Sequence, residues 1–242
     1  METPNKLIDA YVLKTLDYKE HSKLMYMYTK QGIQSAIARG VKKMHSPLRH
    51  CVQTGMLLRV DLSKGKLPTL KDAEMVQYYQ GIKTDLIKTT IVSVINELIY
   101  YNVTENDDHQ KMLKFLHKVL NTLNTTDAPK EVLMIFELKF LYFLGYGIRF
   151  EHCGQCHNTT NLYFDSYTSM VLCKDHVDFN HHVINETAFA PLKYYLHVDI
   201  LTFKPLYLST SEMKRLNTII EALYETHLSS RPKAKRILNS LD

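Results

Sequence analysis

The chain has 242 residues, of which 45% are hydrophobic and 23% are charged, which is the composition of an ordinary globular protein and not of a disordered one. No run approaches the roughly 20 apolar residues of a membrane helix, and the start of the chain lacks the apolar core of a signal peptide. Four cysteines in a chain of this length do not make a disulfide scaffold. We therefore expect a cytoplasmic protein, in a reducing compartment and without membrane association.

Positive charge is concentrated in the first third of the chain. Residues 1–80 contain 13 Lys and Arg against 7 Asp and Glu, whereas residues 81–242 contain 17 against 18. An excess of one sign in one region indicates a partner of the opposite sign for that region. A domain that is merely basic would show the same excess, so charge alone leaves both interpretations open.

The first 80 residues have the pattern of short β-strands separated by turns. The strands are predicted at 8–13, 23–29, 33–39, 52–62 and 67–75. A basic loop over 41–50 separates the third strand from the fourth, and the turn at 63–66 joins the last two as a hairpin. This arrangement predicts a small β-barrel and disfavours alternating strands and helices.

Helical periodicity replaces the strand pattern near Gly81. Helices are predicted at 84–101, 108–123, 129–144, 185–198 and 211–228, with a last one after Pro232. The third of these is apolar on nearly every side, which predicts a central core helix. The fold class expected for the whole chain is therefore α+β, with a barrel followed by a mainly helical region.

Three of the four cysteines lie in one segment, which interrupts the helical region. Two residues separate Cys153 from Cys156, and after a short intervening segment two residues also separate Cys173 from His176. Thiolate and imidazole are the ligands that zinc prefers, and four of them close a tetrahedral site. If Cys153 and Cys156 formed a redox pair, Cys173 and His176 would have no role. Such a pair would also be expected in a thioredoxin-like βαβ unit, which this segment does not resemble. We favour structural zinc, while a redox pair or incidental cysteines remain as alternatives.

The sequence carries no recognisable catalytic signature. A catalytic zinc would need an open position and a general base, and the zinc deaminase pattern is absent. Phosphate-binding glycine loops, nucleophile elbows and the His-Glu-x-x-His motif are absent as well.

His176 is the least secure of the proposed zinc ligands because other histidines are nearby, at 152, 157, 181 and 182. Between 165 and 180 a zinc-dependent hydrolase would have only Asp165, Asp175 and Asp178 as carboxylates.

A basic set in the first third is suited to phosphate contact. The residues predicted to bind DNA are Lys14, Lys23, Arg39, Lys42, Lys43 and Arg49. Tyrosines at 11, 18, 26 and 28 lie among these charges, and aromatic rings beside cations are typical of single-strand binding. Each tyrosine taken singly is better explained as barrel core, but the patch as a whole favours nucleic acid.

Short segments spread over nearly the whole chain occur in a characteristic order. They are Tyr11-Val12-Leu13-Lys14-Thr15, Asp17-Tyr18, Glu20-His21-Ser22-Lys23-Leu24, Ile37-Ala38-Arg39-Gly40, Lys42-Lys43, Ser46-Pro47-Leu48-Arg49, Leu70-Lys71-Asp72-Ala73-Glu74, Phe136-Glu137-Leu138-Lys139, Leu144-Gly145-Tyr146, and His227-Leu228 through Arg231-Pro232-Lys233-Ala234-Lys235-Arg236. In this order and spacing they resemble bacterial recombination mediators of the RecO family. Many members have Gln-Pro where this chain has Gln53-Thr54, and many have a fourth cysteine where it has His176.

The resemblance implies an oligonucleotide-binding (OB) barrel over 1–80 and a helical domain over 81–242, with a zinc-binding insertion at about 151–180. It also implies a non-enzymatic, nucleoid-associated protein of the RecF pathway that binds and anneals single- and double-stranded DNA. Its implied partners are RecR and single-strand-binding protein, on whose DNA it helps to load RecA. The ligands implied for structural zinc are Cys153, Cys156, Cys173 and His176. The alternative is a zinc-braced protein-interaction adaptor with only incidental DNA binding.

Overall fold

The structure is a computed structural model, and it describes residues 7–147, 149–228, 230 and 232–241. The chain forms two compact units. The first, called here the barrel unit, comprises Met1–Thr125 and Pro232–Asp242, and the second, the helical unit, comprises Thr126–Arg231. The expected division into an OB-fold domain over 1–80 and a helical domain over 81–242 stays a prediction.

The barrel unit contains a five-stranded sheet. Its strands are β1 (Ile8–Tyr18), β2 (Ser22–Thr29), β3 (Gly32–Ala38), β4 (Leu57–Leu62) and β5 (Leu70–Gln77). Their order is β3-β2-β1-β4-β5, every neighbouring pair is antiparallel, and a parallel bridge from Ile37 to Thr69 brings the two edges together. This is the strand order of an OB-fold, so the expected fold class is confirmed.

The barrel core follows from period-two alternation along the strands. Val12, Met25, Met27 and Leu58 point inward and are fully or almost fully buried. The predicted fourth strand began too early, because residues 52–56 form a turn and not a strand. That turn still belongs to the barrel, since the Val12 N–H donates to the Met56 carbonyl at 2.9 Å.

Among the described residues, four helices complete the barrel unit. They are α1 (Gln80–Lys83), α2 (Leu86–Asn102), α3 (His109–Thr125) and α7 (Ala234–Asn239). The Asp85 carboxylate caps α2 by accepting from the Lys88 N–H at 3.0 Å. Helices α2 and α3 cover the outer face of the first two strands, where the Tyr28 hydroxyl and His109 Nδ1 are 2.9 Å apart.

One glycine marks a close approach between α1 and the end of α3. A Cβ at Gly81 would lie 2.1 Å from the Asn124 carbonyl oxygen. The same asparagine accepts from the Ile82 N–H through its side chain and from the Lys88 ammonium through its carbonyl. No side chain larger than hydrogen fits at position 81 unless these helices move apart.

The helical unit is built around a buried helix. Its elements are α4 (Pro129–Phe143), β6 (Leu162–Asp165), β7 (Met170–Cys173), β8 (Val183–Asn185), α5 (Glu186–His197) and α6 (Thr210–His227). Ten residues of α4 are buried, which agrees with the core position predicted for it. Within α4 the buried Glu131 carboxylate accepts hydrogen bonds from the Tyr195 hydroxyl and from the N–H groups of Leu206 and Tyr207. It thereby holds the segment that precedes α6.

The helix predictions match the observed helices to within about two residues at most ends, which is the usual uncertainty of helix boundaries. The sequence did not predict α1, the short β8 or the 3₁₀ turn at Pro47–His50. Within the described ranges no helix is both long enough and apolar enough to span a membrane.

Candidate metal centre and nucleic-acid interface

Two tight turns present the candidate metal ligands. In the first turn the His157 N–H donates to the Cys153 carbonyl at 3.0 Å, and in the second the N–H groups of His176 and Val177 donate to the Cys173 carbonyl at 3.0 Å. The hairpin expected between the two turns is present, with β6 paired to β7 and Leu162 opposite Cys173. The hairpin therefore brings the second pair of ligands back to the first.

The four side chains form one cluster. The Cys173 sulfur lies 3.2 Å from His176 Nδ1 and 3.6 Å from the Cys156 sulfur, and the Cys153 sulfur lies 3.7 Å from His176 Nδ1. All four ligand atoms lie within 4.8 Å of one another. Zinc bonds of about 2.3 Å to sulfur and 2.0 Å to nitrogen put tetrahedral ligands about 3.5–3.8 Å apart. The cluster can therefore hold a metal ion, and its donor set and spacing fit zinc.

Local electrostatics prepare one thiol for metal binding. Burial raises the pKa of the Cys153 thiol, but hydrogen bonds from the backbone of Cys156 and Cys173, among others, lower it to about 6 overall. The pKa of Cys156 is raised: the Asn158 N–H lowers it, but desolvation and the other two thiols outweigh that effect. Thiols crowded together in this way ionise with difficulty unless a cation joins them.

The neighbouring histidines are engaged elsewhere. His152 Nδ1 lies 3.2 Å from the Cys153 carbonyl and 3.4 Å from His157 Nδ1. His181 Nδ1 contacts the Asp165 carboxylate at 2.9 Å, and His182 Nδ1 lies 3.3 Å from the Ser166 hydroxyl. His176 is thus the histidine that the structure brings to the three cysteines.

The cluster is fastened to a helix of its own unit. The Ser169 hydroxyl, in the turn between β6 and β7, donates to the Ala222 carbonyl of α6 at 3.1 Å. The Thr226 hydroxyl donates back to Ser169 at 2.7 Å.

Of the carboxylates considered for catalysis, Asp165 is buried and bound to His181, and Asp178 lies 3.7 Å from the other nitrogen of the same ring. The segment 153–176 with these contacts is called here the clasp.

The basic loop after β3 is folded by successive turns. Gly40 adopts the left-handed conformation, with φ of 65°, and starts the loop. The Lys42 N–H donates to the His21 carbonyl at 3.1 Å, so the loop lies beside the turn between β1 and β2. Arg39, Lys43 and Arg49 are exposed and form no ion pair within the part of the chain that the structure describes. Their charges are available to a ligand.

The remaining basic residues have protein partners. The Lys42 ammonium forms an ion pair with Asp17 at 2.9 Å, and its hydrogen bond and charge lower the pKa of that carboxyl. Lys23 lies opposite Asp17 in the β1–β2 ladder and lowers the same pKa through its charge. The Lys14 ammonium lies 5.3 Å from the centroid of the Tyr100 ring. The sequence did not identify Asp17 as a competitor for these lysines.

The four tyrosines of the basic region have separate roles. Tyr11 and Tyr28 are fully buried, and burial is the main cause of the raised pKa of each. Tyr18 is half-buried, with the Lys19 ammonium 5.6 Å from its ring centroid. Tyr26 is half-buried, and its ring packs edge-to-face with the ring of Tyr100. The helical pattern placed Tyr100 in a helix and gave no link to the basic region. The signal that could have pointed to Tyr100 was the second aromatic residue beside it, Tyr101.

Comparison with known sequences now identifies the family. The profile described as "Recombination protein O N terminal" matches residues 1–79, and "Recombination protein O C terminal" matches residues 83–236. The chain belongs to the recombination protein O (RecO) family. Among curated relatives, "DNA repair protein RecO" of Clostridium novyi is 29% identical over 238 residues, with 96% of this chain and 93% of the relative covered. The protein of that name from Bacillus mycoides is 27% identical over 242 residues, with 97% of each chain covered.

Family membership agrees with the geometry of both regions. The N-terminal profile ends at residue 79, directly after the last barrel strand, and the C-terminal profile spans the metal cluster. The RecO resemblance read from short segments is thereby confirmed. The relatives are named as DNA repair proteins, which agrees with a role in recombinational repair.

Proposed function

We propose that this chain is a non-enzymatic, DNA-binding mediator of recombinational repair. In this role it binds and anneals single- and double-stranded DNA and helps to load RecA on strands coated by single-strand-binding protein, together with RecR. The observation that carries the proposal is the OB barrel, with its exposed basic loop, in a chain of the RecO family. Such a protein acts in the cytoplasm in association with the nucleoid.

The DNA interface consists of the basic residues of the barrel. The residues are Lys14, Lys23, Arg39, Lys42, Lys43 and Arg49. Arg39, Lys43 and Arg49 reach phosphates directly because they are exposed and carry free charge. When DNA binds, the Lys42 ammonium leaves Asp17 and pairs with a phosphate. Breaking the Lys42–Asp17 ion pair costs little, because an exposed ion pair contributes about 0–1 kcal/mol to stability. Contacts of this kind are independent of sequence and sensitive to salt.

The metal of the clasp is zinc, held by Cys153, Cys156, Cys173 and His176. Three thiolates and one imidazole form a closed tetrahedral set, which suits a structural site. Bound zinc fixes the two turns and the hairpin that Ser169 fastens to α6. The clasp braces the helical unit and takes no part in a reaction.

Charge removal in the basic loop tests the interface. We expect Lys42→Ala with Lys43→Ala to weaken binding to all DNA sequences alike and to lower the slope of log affinity against log salt by about 1.5, since two phosphate contacts are lost. Fluorescence anisotropy with labelled single strands at several salt concentrations measures both quantities. The control is Lys111→Ala with Lys114→Ala, which removes the same charge from the exposed side of α3. Equal losses in the two double variants would contradict the assignment of the loop.

The mediator activity needs its own test. Annealing of complementary strands coated with single-strand-binding protein should be accelerated by the wild-type protein and less so by the loop variant. Adding RecR and RecA should then increase RecA filament formation on the same strands. A protein that binds DNA but stimulates neither process would not be a mediator.

The adaptor alternative draws on a pocket in the helical unit. This pocket has a volume of about 480 Å³, with Phe150 and Phe164 in its lining and Arg149 and His227 among its polar residues. Apolar walls with a few polar groups are suited to a side chain of a partner protein. Retained partner binding after loss of DNA binding in the loop variant would show that the two functions are separate.

A further inference from the structure

A small pocket lies within the barrel unit between β1 and α2. Its α2 wall is formed by one face of the helix, at positions spaced by three and four residues, and its β1 wall follows the bulge in that strand. The lining residues are Leu13, Lys14, Thr15, Thr54, Ser93, Asn96, Glu97, Tyr100 and Tyr101. The volume is about 220 Å³, whereas pockets for drug-sized ligands measure roughly 300–1,000 Å³. The space suits one planar ring system.

Two aromatic residues of the lining, Tyr100 and Tyr101, are in edge-to-face contact, and Tyr100 makes a similar contact with Tyr26 outside the lining. The centroids of Tyr100 and Tyr26 are 5.3 Å apart at 85°, and those of Tyr100 and Tyr101 are 5.0 Å apart at 86°. Tyr101 remains 54% exposed although it is a large ring on a helix that is otherwise mostly buried. An exposed tyrosine, held at a fixed angle by a neighbour, is a preformed stacking surface.

The lining of the pocket contains one cation, Lys14, and one carboxylate, Glu97. The Lys14 ammonium lies over Tyr100 and forms no ion pair with a carboxylate within the described residues. The acidic residue of the lining, Glu97, accepts a hydrogen bond from the Lys233 N–H of the segment leading into α7. Glu97 keeps its negative charge when it accepts from a backbone N–H, so Lys14 is the group of the lining that can pair with a phosphate.

Polar groups complete the pocket. Asn96 is 4% exposed and lies against the buried Tyr11 hydroxyl: burial raises the pKa of Tyr11, and a hydrogen bond with Asn96 opposes that effect. One hydroxyl cannot satisfy both the oxygen and the NH₂ group of the amide, and Asn96 has no other hydrogen-bond partner in the described ranges. The amide therefore keeps hydrogen-bonding capacity that the protein itself does not use.

We propose that this pocket receives one unpaired nucleobase of a bound DNA strand, stacked on Tyr101 with its phosphate beside Lys14. This inference rests on the DNA binding proposed above and adds the position at which one base of the strand binds. Rings for stacking combined with cations for the backbone are the recurring pattern of single-strand sites. Lys14 and Asp17 are three residues, or about 10 Å, apart along β1.

Variants of Tyr101 test the pocket without touching the basic loop. We expect Tyr101→Ala to weaken binding to short single-stranded oligothymidine roughly ten-fold, since the stacking surface is lost, and to leave binding to blunt duplex DNA unchanged. Tyr101→Phe keeps the ring and should retain wild-type affinity. The control Tyr142→Ala removes a tyrosine that is 62% exposed on α4 and should have no effect. Circular dichroism melting checks that each variant is folded.

A crosslink locates the base directly. Oligonucleotides carrying 5-iododeoxyuridine should crosslink under ultraviolet light to the tryptic peptide 89–111, which contains Tyr100 and Tyr101, and not to peptide 140–149, which contains Tyr142. Salt-sensitive DNA binding with equal affinities for the alanine variants and no crosslink to peptide 89–111 would overturn the pocket and leave the proposed function intact. Absence of DNA binding by the wild-type protein would instead overturn the proposed function.

Discussion

The metal cluster and the DNA interface are assembled in opposite ways. The cluster takes its four ligands from the single stretch 153–176, through two turns of the same spacing. The proposed interface gathers Lys14 and Lys23 from two strands and its other cations from the loop after β3, and the base pocket adds side chains of α2. One region is local in sequence, and the other exists only once the barrel and its helices have formed.

This difference has an energetic counterpart. A metal site requires ligand atoms at fixed distances, so that one lost ligand removes most of its binding energy. A phosphate interface tolerates movement of long side chains in water, so that each contact adds a small and salt-dependent amount. Changes to the clasp should therefore have large effects confined to the helical unit, whereas changes to the barrel should have graded effects on DNA affinity.

Removal of the metal should give the largest effect. We expect Cys173→Ser, or chelation of the wild-type protein, to abolish metal binding and to unfold the segment around 150–185, since structural zinc supplies about 10 kcal/mol or more to small sites. Metal analysis and hydrogen exchange followed by mass spectrometry measure both outcomes. DNA affinity should change less than about two-fold, because the basic loop belongs to the barrel.

The fourth cysteine provides the matched control for that experiment. Cys51 lies in the barrel, where it is 8% exposed and its thiol donates to the Ala73 carbonyl at 3.5 Å. Cys51→Ser should retain the metal and the exchange protection of residues 150–185. Metal loss in this variant, or unchanged exchange in Cys173→Ser, would contradict the clasp.

Loss of a buried carboxylate should give the next largest effect. Glu131→Gln would place an amide NH₂ against one of the backbone N–H groups, of Leu206 or Tyr207, that now donate to the carboxylate. We expect the free energy of unfolding to fall by about 3 kcal/mol, as for hydrogen bonds to a buried charge. Urea unfolding followed by circular dichroism measures the change, and the exposed Glu105→Gln should shift the midpoint very little. Equal midpoints would show that Glu131 does not hold this segment.

The sequence predicted the local features of the chain well. Zinc-ligand spacing and helical periodicity depend on neighbours within a few residues, so the cluster and six of the helices could be located before the structure was known. The start of β4 was placed too early because the apolar residues Val52 and Met56 serve the barrel core from a turn. Burial alone does not distinguish a strand from a turn that packs inward.

Long-range relations could not be predicted. The pairing of Lys42 with Asp17 follows from the loop lying beside the β1–β2 turn, and sequence spacing contains no information on that contact. In the same way, Tyr100 and Tyr101 had the spacing of ordinary helix residues, and only the packing of α2 on β1 and β2 gives them a pocket. Tertiary context therefore carries most of the proposed DNA interface.

Removal of the competing carboxylate should have a smaller, opposite effect on DNA binding. We expect Asp17→Asn to increase affinity for single strands a few-fold at low salt, because it frees Lys42 and removes a negative charge near the phosphates. The increase should vanish at high salt, which a salt series by fluorescence anisotropy measures. Asp72→Asn removes the same charge from exposed β5 and serves as the control. Weaker binding by Asp17→Asn would show that the ion pair organises the loop for DNA.

The pH dependence of the hairpin should show the smallest effect. A hydrogen bond to Asp165 raises the pKa of His181 against an opposing desolvation. Burial raises the pKa of Asp165, but the hydrogen bond from His181 and others lower it overall. Protonated His181 therefore stabilises the fold below about pH 6.5 and ceases to do so as pH rises through its folded pKa, whereas ionised Asp165 stabilises it above about pH 4 and ceases to do so as pH falls through its own.

Both stabilising forms coexist between about pH 4 and 6.5, so the ion pair should contribute most in that window. NMR titration of His181 should give a pKa above the ordinary value in the wild-type protein and a lower one in Asp165→Asn. Asp178→Asn should lower it less, because Asp178 lies 3.7 Å from the ring nitrogen whereas Asp165 lies 2.9 Å away. An unchanged titration in Asp165→Asn would show that the pair does not form in solution.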